Sequence, residues 1–67
     1  MDIRIGAVYR RVKQPTVKVR VLEIEYEWVS FQFLGRPEDT GGFNSILFEI
    51  RYELDLEYAW YDDIFKL

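Results

Sequence analysis

Residues 16–28, TVKVRVLEIEYEW, alternate apolar and polar side chains so strictly that they predict extended strand. The apolar side chains occupy odd positions as far as Val21 and even positions from Leu22 onward. Alternation cannot keep one face inward across this slip of phase, because the side-chain period of a strand is two residues. We therefore predict a β-bulge or a sharp bend at Val21–Leu22.

The polar side chains of this stretch change sign at the same point. Lys18 and Arg20 precede the predicted bend, whereas Glu23, Glu25 and Glu27 follow it. We predict that the basic half and the acidic half point in different directions. The open alternative is that opposite charges pair with each other across neighbouring strands.

Stretches on both sides of this segment also predict strands. Gly6 interrupts an alternating stretch that begins at Ile3, which indicates a bulge or a bend. Whether Tyr26–Glu27 is a tight connection or part of one continuous coiling strand stays open. Residues 35–42, GRPEDTGG, predict a loop that reverses the chain, and residues 43–54 predict strands after it.

The C-terminal segment, residues 55–67, has the sequence DLEYAWYDDIFKL and carries apolar side chains at helical spacing. Asp55 occupies the position of a helix N-cap. We predict a short C-terminal helix here, with a final strand as the alternative. The expected organisation is one domain, residues 1–67, with a β-sheet or barrel over residues 3–54 and a helix or tail over residues 55–67.

The composition excludes several chemistries. The 67 residues include no cysteine and no histidine, which removes disulfides, the usual structural zinc sites and the commonest general base. Aromatic residues make up 18% of the chain and are expected to fill most of the core. No apolar run approaches the roughly 20 residues that span a bilayer. We expect a cytoplasmic protein without a cofactor, without enzymatic activity and without membrane contact.

A family resemblance rests on seven residues spread over residues 3–54. Small phage and prophage proteins with a barrel of the Src-homology-3 type typically begin with Gly-x-Val-Tyr/Trp-Arg and end with Phe-x-x-x-Tyr-Glu-like residues. This chain resembles them at Gly6, Val8, Tyr9, Arg10, Phe48, Tyr52 and Glu53. The resemblance implies an origin in a mobile element. The predicted fold class is all-β and mainly antiparallel, either a small, strongly bent sheet or a Src-homology-3-like barrel, with a short C-terminal helix.

The charges favour a binding role. Residues 1–20 carry six basic residues and one acidic residue, whereas residues 21–67 carry three basic and eleven acidic residues. A separation of this size orients an approaching partner. In size and charge, the chain also resembles small acidic phage proteins that inhibit bacterial defence systems. We therefore predict a phage-encoded, anti-CRISPR-type inhibitor that binds a larger host protein which handles nucleic acid, in the bacterial cytoplasm.

Two sets of residues are predicted to contact that partner, and a third supports an alternative. The acidic face comprises Glu23, Glu25, Glu27, Asp55, Glu57, Asp62 and Asp63. The aromatic anchors are Trp28, Tyr58, Trp60 and Tyr61. The alternative is a small adaptor or nucleic-acid-binding barrel that acts through a basic hairpin with Arg10, Arg11, Lys13, Lys18 and Arg20. The protein is expected to be a monomer or a homodimer.

Overall fold

The computed structural model describes residues 3–58. Their elements follow in the order β1 (Val8–Arg11), β2 (Gln14–Glu25), β3 (Trp28–Phe33), β4 (Arg36–Asn44), α1 (Ser45–Arg51) and β5 (Tyr52–Leu54). The strands form one antiparallel sheet in the order β4-β3-β2-β1-β5. The prediction of a mainly antiparallel β fold with a short helix is confirmed. Of the two predicted architectures, the described residues form an open sheet, with β4 and β5 at its edges.

The predicted β-bulge is present in β2. The register between β2 and β3 shifts between Val21 and Glu23, which makes Leu22 the inserted residue. Val21 is buried, and Ile24 packs against the same core beyond the bulge. The extra residue therefore restores the apolar side chains to the core side of the sheet.

Because of this bulge, the basic and acidic halves of β2 lie on the same face of the sheet. Alternate residues of β3 face away from the core, and their partners on β2 are charged: Arg20 is opposite Gln32, Glu23 opposite Ser30, and Glu25 opposite Trp28. The prediction that the two halves point in different directions is wrong in this respect. The bulge absorbs the slip of phase, so that the acidic half stays on the outer face.

The core lies between the other face of the sheet and α1. Phe48 is the buried residue of α1, and its ring stacks on Tyr52 at a centroid distance of 4.8 Å. The ring of Tyr9 meets Phe48 edge-on at 5.1 Å. Phe31 of β3 lies 5.8 Å from Phe48 and 5.6 Å from Tyr52. Aromatic rings therefore fill the centre of this core, where each can bury about 150–250 Å² of surface.

The predicted loop at residues 35–42 is wrong, because most of it belongs to β4. The chain reverses instead at residues 34–35, where Gly35 has a φ of +87°. Gly41 and Gly42 do not form a turn but lie beneath aromatic rings. A Cβ atom at Gly42 would lie 2.5 Å from the indole nitrogen of Trp28, and one at Gly41 would lie 3.0 Å from the ring of Phe31. Glycine is needed at both positions because it lets the rings of Phe31 and Trp28 lie close to the backbone of β4.

The predicted strands over residues 43–54 are wrong in the middle, where Ser45–Arg51 form α1, whereas residues 43–44 end β4 and Tyr52–Leu54 form β5. The side chain of Asn44 caps this helix by accepting a hydrogen bond of 2.9 Å from the backbone N–H of Ile46. Of the seven residues of α1, only Phe48 is buried. A helix this short with one buried side chain leaves no helical period in the sequence, and alternation dominates the pattern instead.

The predicted C-terminal helix begins where the sequence indicates. Residues 56–58 are helical, and the Oδ1 atom of Asp55 accepts a hydrogen bond of 3.1 Å from the backbone N–H of Tyr58. This is the geometry of an N-cap, so the predicted role of Asp55 at the start of the helix is confirmed. The rest of the predicted helix, residues 59–67, lies outside the described residues.

Candidate functional site

The turn that joins β2 to β3 is exposed at every residue from 25 to 28. Tyr26 and Glu27 form a two-residue connection, which settles the open question in favour of a tight turn. Tyr26 is 94% exposed and has a φ of +55°, the one positive φ at a non-glycine among residues 3–58. A non-glycine residue in this conformation costs about 1–2 kcal/mol. Because the ring of Tyr26 is almost fully exposed, burial of its surface does not offset this conformational cost.

Three unpaired carboxylates surround this tyrosine. Glu25 and Glu27 flank it, Glu23 lies two residues before Glu25, and all three are exposed. Within the described part of the chain, none of the three forms an ion pair. The backbone carbonyl of Glu27 accepts a hydrogen bond of 2.6 Å from the N–H of Ser45, which ties the turn to the start of α1. The turn is therefore held in place while its charges face solvent.

Trp28 extends this surface on the first position of β3. It is 53% exposed and pairs with Glu25 on one side and with Asn44 on the other. Its indole ring covers the backbone at Gly42, since a Cβ atom there would lie within 2.5–2.7 Å of the ring. The ring thus offers one half of its surface to a partner and rests on β4 with the other. We call Glu23, Glu25, Tyr26, Glu27 and Trp28 the hairpin tip.

Asp55 does not belong to an exposed acidic face, contrary to the prediction. Its side chain is 1% exposed, and its Oδ2 atom lies 2.6 Å from the ammonium nitrogen of Lys18. Burial alone would raise the pKa of Asp55. The contact with Lys18, the hydrogen bond from the N–H of Tyr58 and the charge of Arg10 together lower this pKa below its ordinary value. Asp55 is therefore an internal counter-charge.

The remaining predicted acidic residues are divided between surface and undescribed chain. Glu57 is exposed in the helical turn that follows Asp55. Asp62 and Asp63 lie outside the described residues. Of the predicted acidic face, the residues that are both described and exposed are Glu23, Glu25, Glu27 and Glu57.

The predicted aromatic anchors are divided in the same way. Tyr58 is 36% exposed, and Lys18 Nζ and Arg20 Cζ each lie 5.9 Å from the centre of its ring. These two cations hold the ring against the outer face of the sheet. Trp60 and Tyr61 lie outside the described residues. Of the two predicted anchors that the structure describes, Trp28 is the more exposed, at 53% against 36% for Tyr58.

The predicted basic patch is not one surface. Arg10 donates to the carboxylate of Glu53 at 2.7 Å, and this hydrogen bond is the main cause that raises the pKa of Arg10. Arg20 donates to the backbone carbonyl of Gly6 at 2.6 Å. Together with Lys18 and its contact to Asp55, these residues use their charges inside the domain. Arg10 of β1 therefore pairs with Glu53 of β5, and Lys18 of β2 pairs with Asp55, the residue after β5.

The other two predicted basic residues lie elsewhere. The guanidinium carbon of Arg11 lies 5.8 Å from the ring centre of Tyr52, on the core side of β1. Lys13 is exposed in the turn between β1 and β2. The five predicted cations thus form two groups that face different directions. Arg10, Lys18 and Arg20 are in one group, and Arg11 and Lys13 are in the other.

Two other kinds of site are absent from the described part of the chain. Residues 3–58 contain no group of three or more carboxylates placed to hold a metal ion. No helix in that range has both the length and the apolar character needed to cross a membrane. No protein-family model, no curated protein and no solved structure matches this chain.

Sequence reasoning missed Tyr26, the most exposed of the large hydrophobic side chains among the described residues. The available signal was local. A two-residue hairpin turn usually carries glycine or asparagine where φ is positive, and here the turn reads Tyr-Glu. A turn that lacks its usual residue and carries an aromatic side chain between two glutamates indicates a contact surface.

Proposed function

We propose that this protein is a non-catalytic binding module that docks its hairpin tip onto a basic surface of a larger protein. The observation that carries the proposal is Tyr26, which is 94% exposed at a φ of +55° between two glutamates that form no ion pair within residues 3–58. Residues kept in costly backbone conformations cluster at sites of recognition. Stability gives no reason for a tyrosine here, because glycine would relieve the backbone and lose almost no packing.

The chemistry of the tip fits a protein interface. Exposed tyrosine and tryptophan are the usual anchors of such interfaces, and Tyr26 and Trp28 stand two residues apart at the tip. The three glutamates supply long-range attraction toward a positive surface, which raises the rate of association and selects among partners. The tip thus combines two aromatic anchors with a negative charge, which favours a partner whose surface is positively charged.

The spacing of the carboxylates favours a partner that normally binds nucleic acid. Glu23 and Glu25 project from one face of β2 at a separation of about 6–7 Å, close to that of successive phosphates along a nucleic-acid strand. A short row of carboxylates at this spacing imitates the backbone. We therefore propose an inhibitor that occupies the basic groove of a bacterial nucleic-acid-dependent machine, of the anti-CRISPR type if the chain is encoded by a phage. It would then act in the cytoplasm of the host cell.

The alternative function, an adaptor or nucleic-acid-binding barrel that acts through the basic hairpin, has less support. Arg10 and Lys18 are paired with Glu53 and Asp55, and phosphate contacts need unpaired cations in one patch. We therefore place the partner-binding surface at the hairpin tip.

The experiment is capture of partners from a nuclease-treated bacterial lysate by the tagged protein, at low and at moderate salt. We expect a protein partner that survives nuclease and is released by salt. Tyr26→Gly should lose the partner while the free energy of unfolding stays the same or rises, because the strained φ is relieved. Glu25→Lys with Glu27→Lys should also lose it.

The matched control is Glu38→Lys with Asp39→Lys, which makes the same change of charge at two exposed acids of β4 outside the tip. This control should keep the partner. Capture of the same partner by Tyr26→Gly and by the tip charge variant, at unchanged affinity, would show that the tip is not the binding surface. Recovery of nucleic acid from a parallel lysate without nuclease, or of proteins that nuclease treatment removes, would favour the basic residues.

A further inference from the structure

A groove lies at the end of β2 remote from the hairpin tip, where the turn between β1 and β2 approaches the C-terminal end of α1. Its volume is about 530 Å³, which is within the usual range for small-molecule sites. The lining residues are Arg11, Val12, Lys13, Gln14, Ile50 and Arg51. The backbone N–H of Val12 donates to the carbonyl of Arg51 at 2.9 Å, so that the two walls are joined by a hydrogen bond.

The groove concentrates positive charge without internal compensation. Of the six lining residues within the described part of the chain, three are cations and none is a carboxylate. Among the described residues, Arg11, Lys13 and Arg51 have no ion pair, whereas Arg10 on the adjacent face is paired with Glu53. Like charges held together repel one another, and a bound anion would remove that cost.

Two of the three cations are also fixed in orientation by aromatic rings. Arg11 lies 5.8 Å from the ring centre of Tyr52, and Arg51 lies 5.3 Å from that of Phe43. These two rings are themselves 6.2 Å apart at the edge of the core. A ring on one face of a guanidinium leaves its N–H edge for recognition, and that edge matches the two oxygens of a carboxylate or phosphate.

We propose that this groove binds a small organic anion that carries two or more oxyanion groups. The guanidinium groups of Arg11 and Arg51 would hold one oxyanion group each or share one, and the ammonium group of Lys13 would neutralise a further charge. Val12 and Ile50, which are 46% and 67% exposed, give the ligand an apolar surface to lie against. This site is independent of the hairpin tip and of the partner proposed for it.

The test is an NMR titration of the ¹⁵N-labelled protein with pyrophosphate and, separately, with citrate. We expect saturable shifts of the backbone signals of residues 11–14 and 50–51 with at least one probe, and no shift at residues 23–28. Tighter binding of pyrophosphate would assign the site to phosphates, and tighter binding of citrate would assign it to carboxylates. Failure of both probes to shift the groove signals would overturn the proposal.

Variants separate a specific site from general attraction to a cation. Arg11→Gln with Arg51→Gln should weaken binding of the preferred probe at least 10-fold, and Lys13→Gln, an exposed change in the turn, should weaken it by a smaller factor. Arg4→Gln with Arg36→Gln, two exposed arginines outside the groove, should leave affinity unchanged. Equal weakening by this control would overturn the proposal. So would tighter binding of a short single-stranded DNA to the same residues, which would make the groove a nucleic-acid site.

Discussion

The ammonium nitrogen of Lys18 lies 2.6 Å from the Oδ2 atom of Asp55, and the side chain of Asp55 is 1% exposed. The backbone N–H of Asp55 donates to the carbonyl of Val8 at 3.0 Å, and its Oδ1 atom caps the helical turn at Tyr58. Asp55 therefore joins β1, β2 and the C-terminal turn through three different groups. The sequence predicts Asp55 on a binding surface, but in the structure it connects three parts of the fold.

Removal of Lys18 should destabilise the domain. Lys18→Met leaves the buried carboxylate without its counter-charge, so we expect the free energy of unfolding in urea to fall by about 1–3 kcal/mol. Lys13→Met is the matched control, because Lys13 is exposed and has no ion pair within the described residues; its effect should stay within about 0.5 kcal/mol. Equal losses for the two variants would contradict a structural role for the Lys18–Asp55 pair.

Acid should remove the contribution of Asp55 to stability. The pKa of Asp55 is lower in the folded protein than its ordinary value, so the folded state favours the carboxylate. This contribution is complete above the ordinary pKa of about 3.9. It is lost as pH falls through the lower folded pKa. Thermal unfolding between pH 2 and pH 7 should show a flatter acid limb for Asp55→Asn, which keeps the cap and does not titrate; an identical acid limb would contradict this assignment.

Two buried tyrosines should respond in opposite ways to loss of the hydroxyl group. The hydroxyl of Tyr52 is buried and has no hydrogen-bond partner among the described residues, whereas that of Tyr9 accepts a hydrogen bond of 2.9 Å from the N–H of Arg4. Tyr52→Phe should raise the free energy of unfolding by up to about 1 kcal/mol, and Tyr9→Phe should lower it by about 0.5–1.5 kcal/mol. Urea denaturation of both variants checks the difference, and a loss for Tyr52→Phe would show that its hydroxyl is satisfied in solution.

The adjacent glycines of β4 should differ in their tolerance of alanine. A methyl group at Gly41 would press on Phe31, which is 2% exposed and surrounded by other rings, so Gly41→Ala should cost about 1–3 kcal/mol. The same change at Gly42 would displace the half-exposed indole of Trp28, which is free to move outward. We expect a smaller loss of stability for Gly42→Ala, together with a change in tryptophan fluorescence. A larger loss for Gly42→Ala would mean that Trp28 is held as firmly as the core.

Some features of the fold were predictable because their causes are local. The slip of phase at Val21–Leu22 requires an inserted residue if the apolar side chains are to stay on one face of the sheet. The structure has a bulge between Val21 and Glu23. Asp55 before a run of helical spacing needs only the next three residues to form its cap. The open sheet, in contrast to a closed barrel, depends on how β4 and β5 lie relative to each other, which no local pattern contains.

Other features depended on residues distant in sequence. GRPEDTGG has the composition of a turn, but most of it pairs with β3 as a strand. Its two glycines leave the space that the rings of Phe31 and Trp28 occupy. The sequence around Phe48 alternates like a strand, but a single inward ring and the cap by Asn44 make it helical.

By itself, the sequence determined that the chain is a mainly antiparallel β domain, that β2 contains a bulge and that Asp55 begins a helical turn. These follow from side-chain period and capping, which act over a few residues. Only the tertiary structure decided which charges are neutralised inside the domain and which remain on the surface. Pairing is set by which strands are neighbours: β5 lies beside β1 and supplies Glu53 to Arg10, whereas the glutamates of the hairpin tip form no ion pair with another described residue.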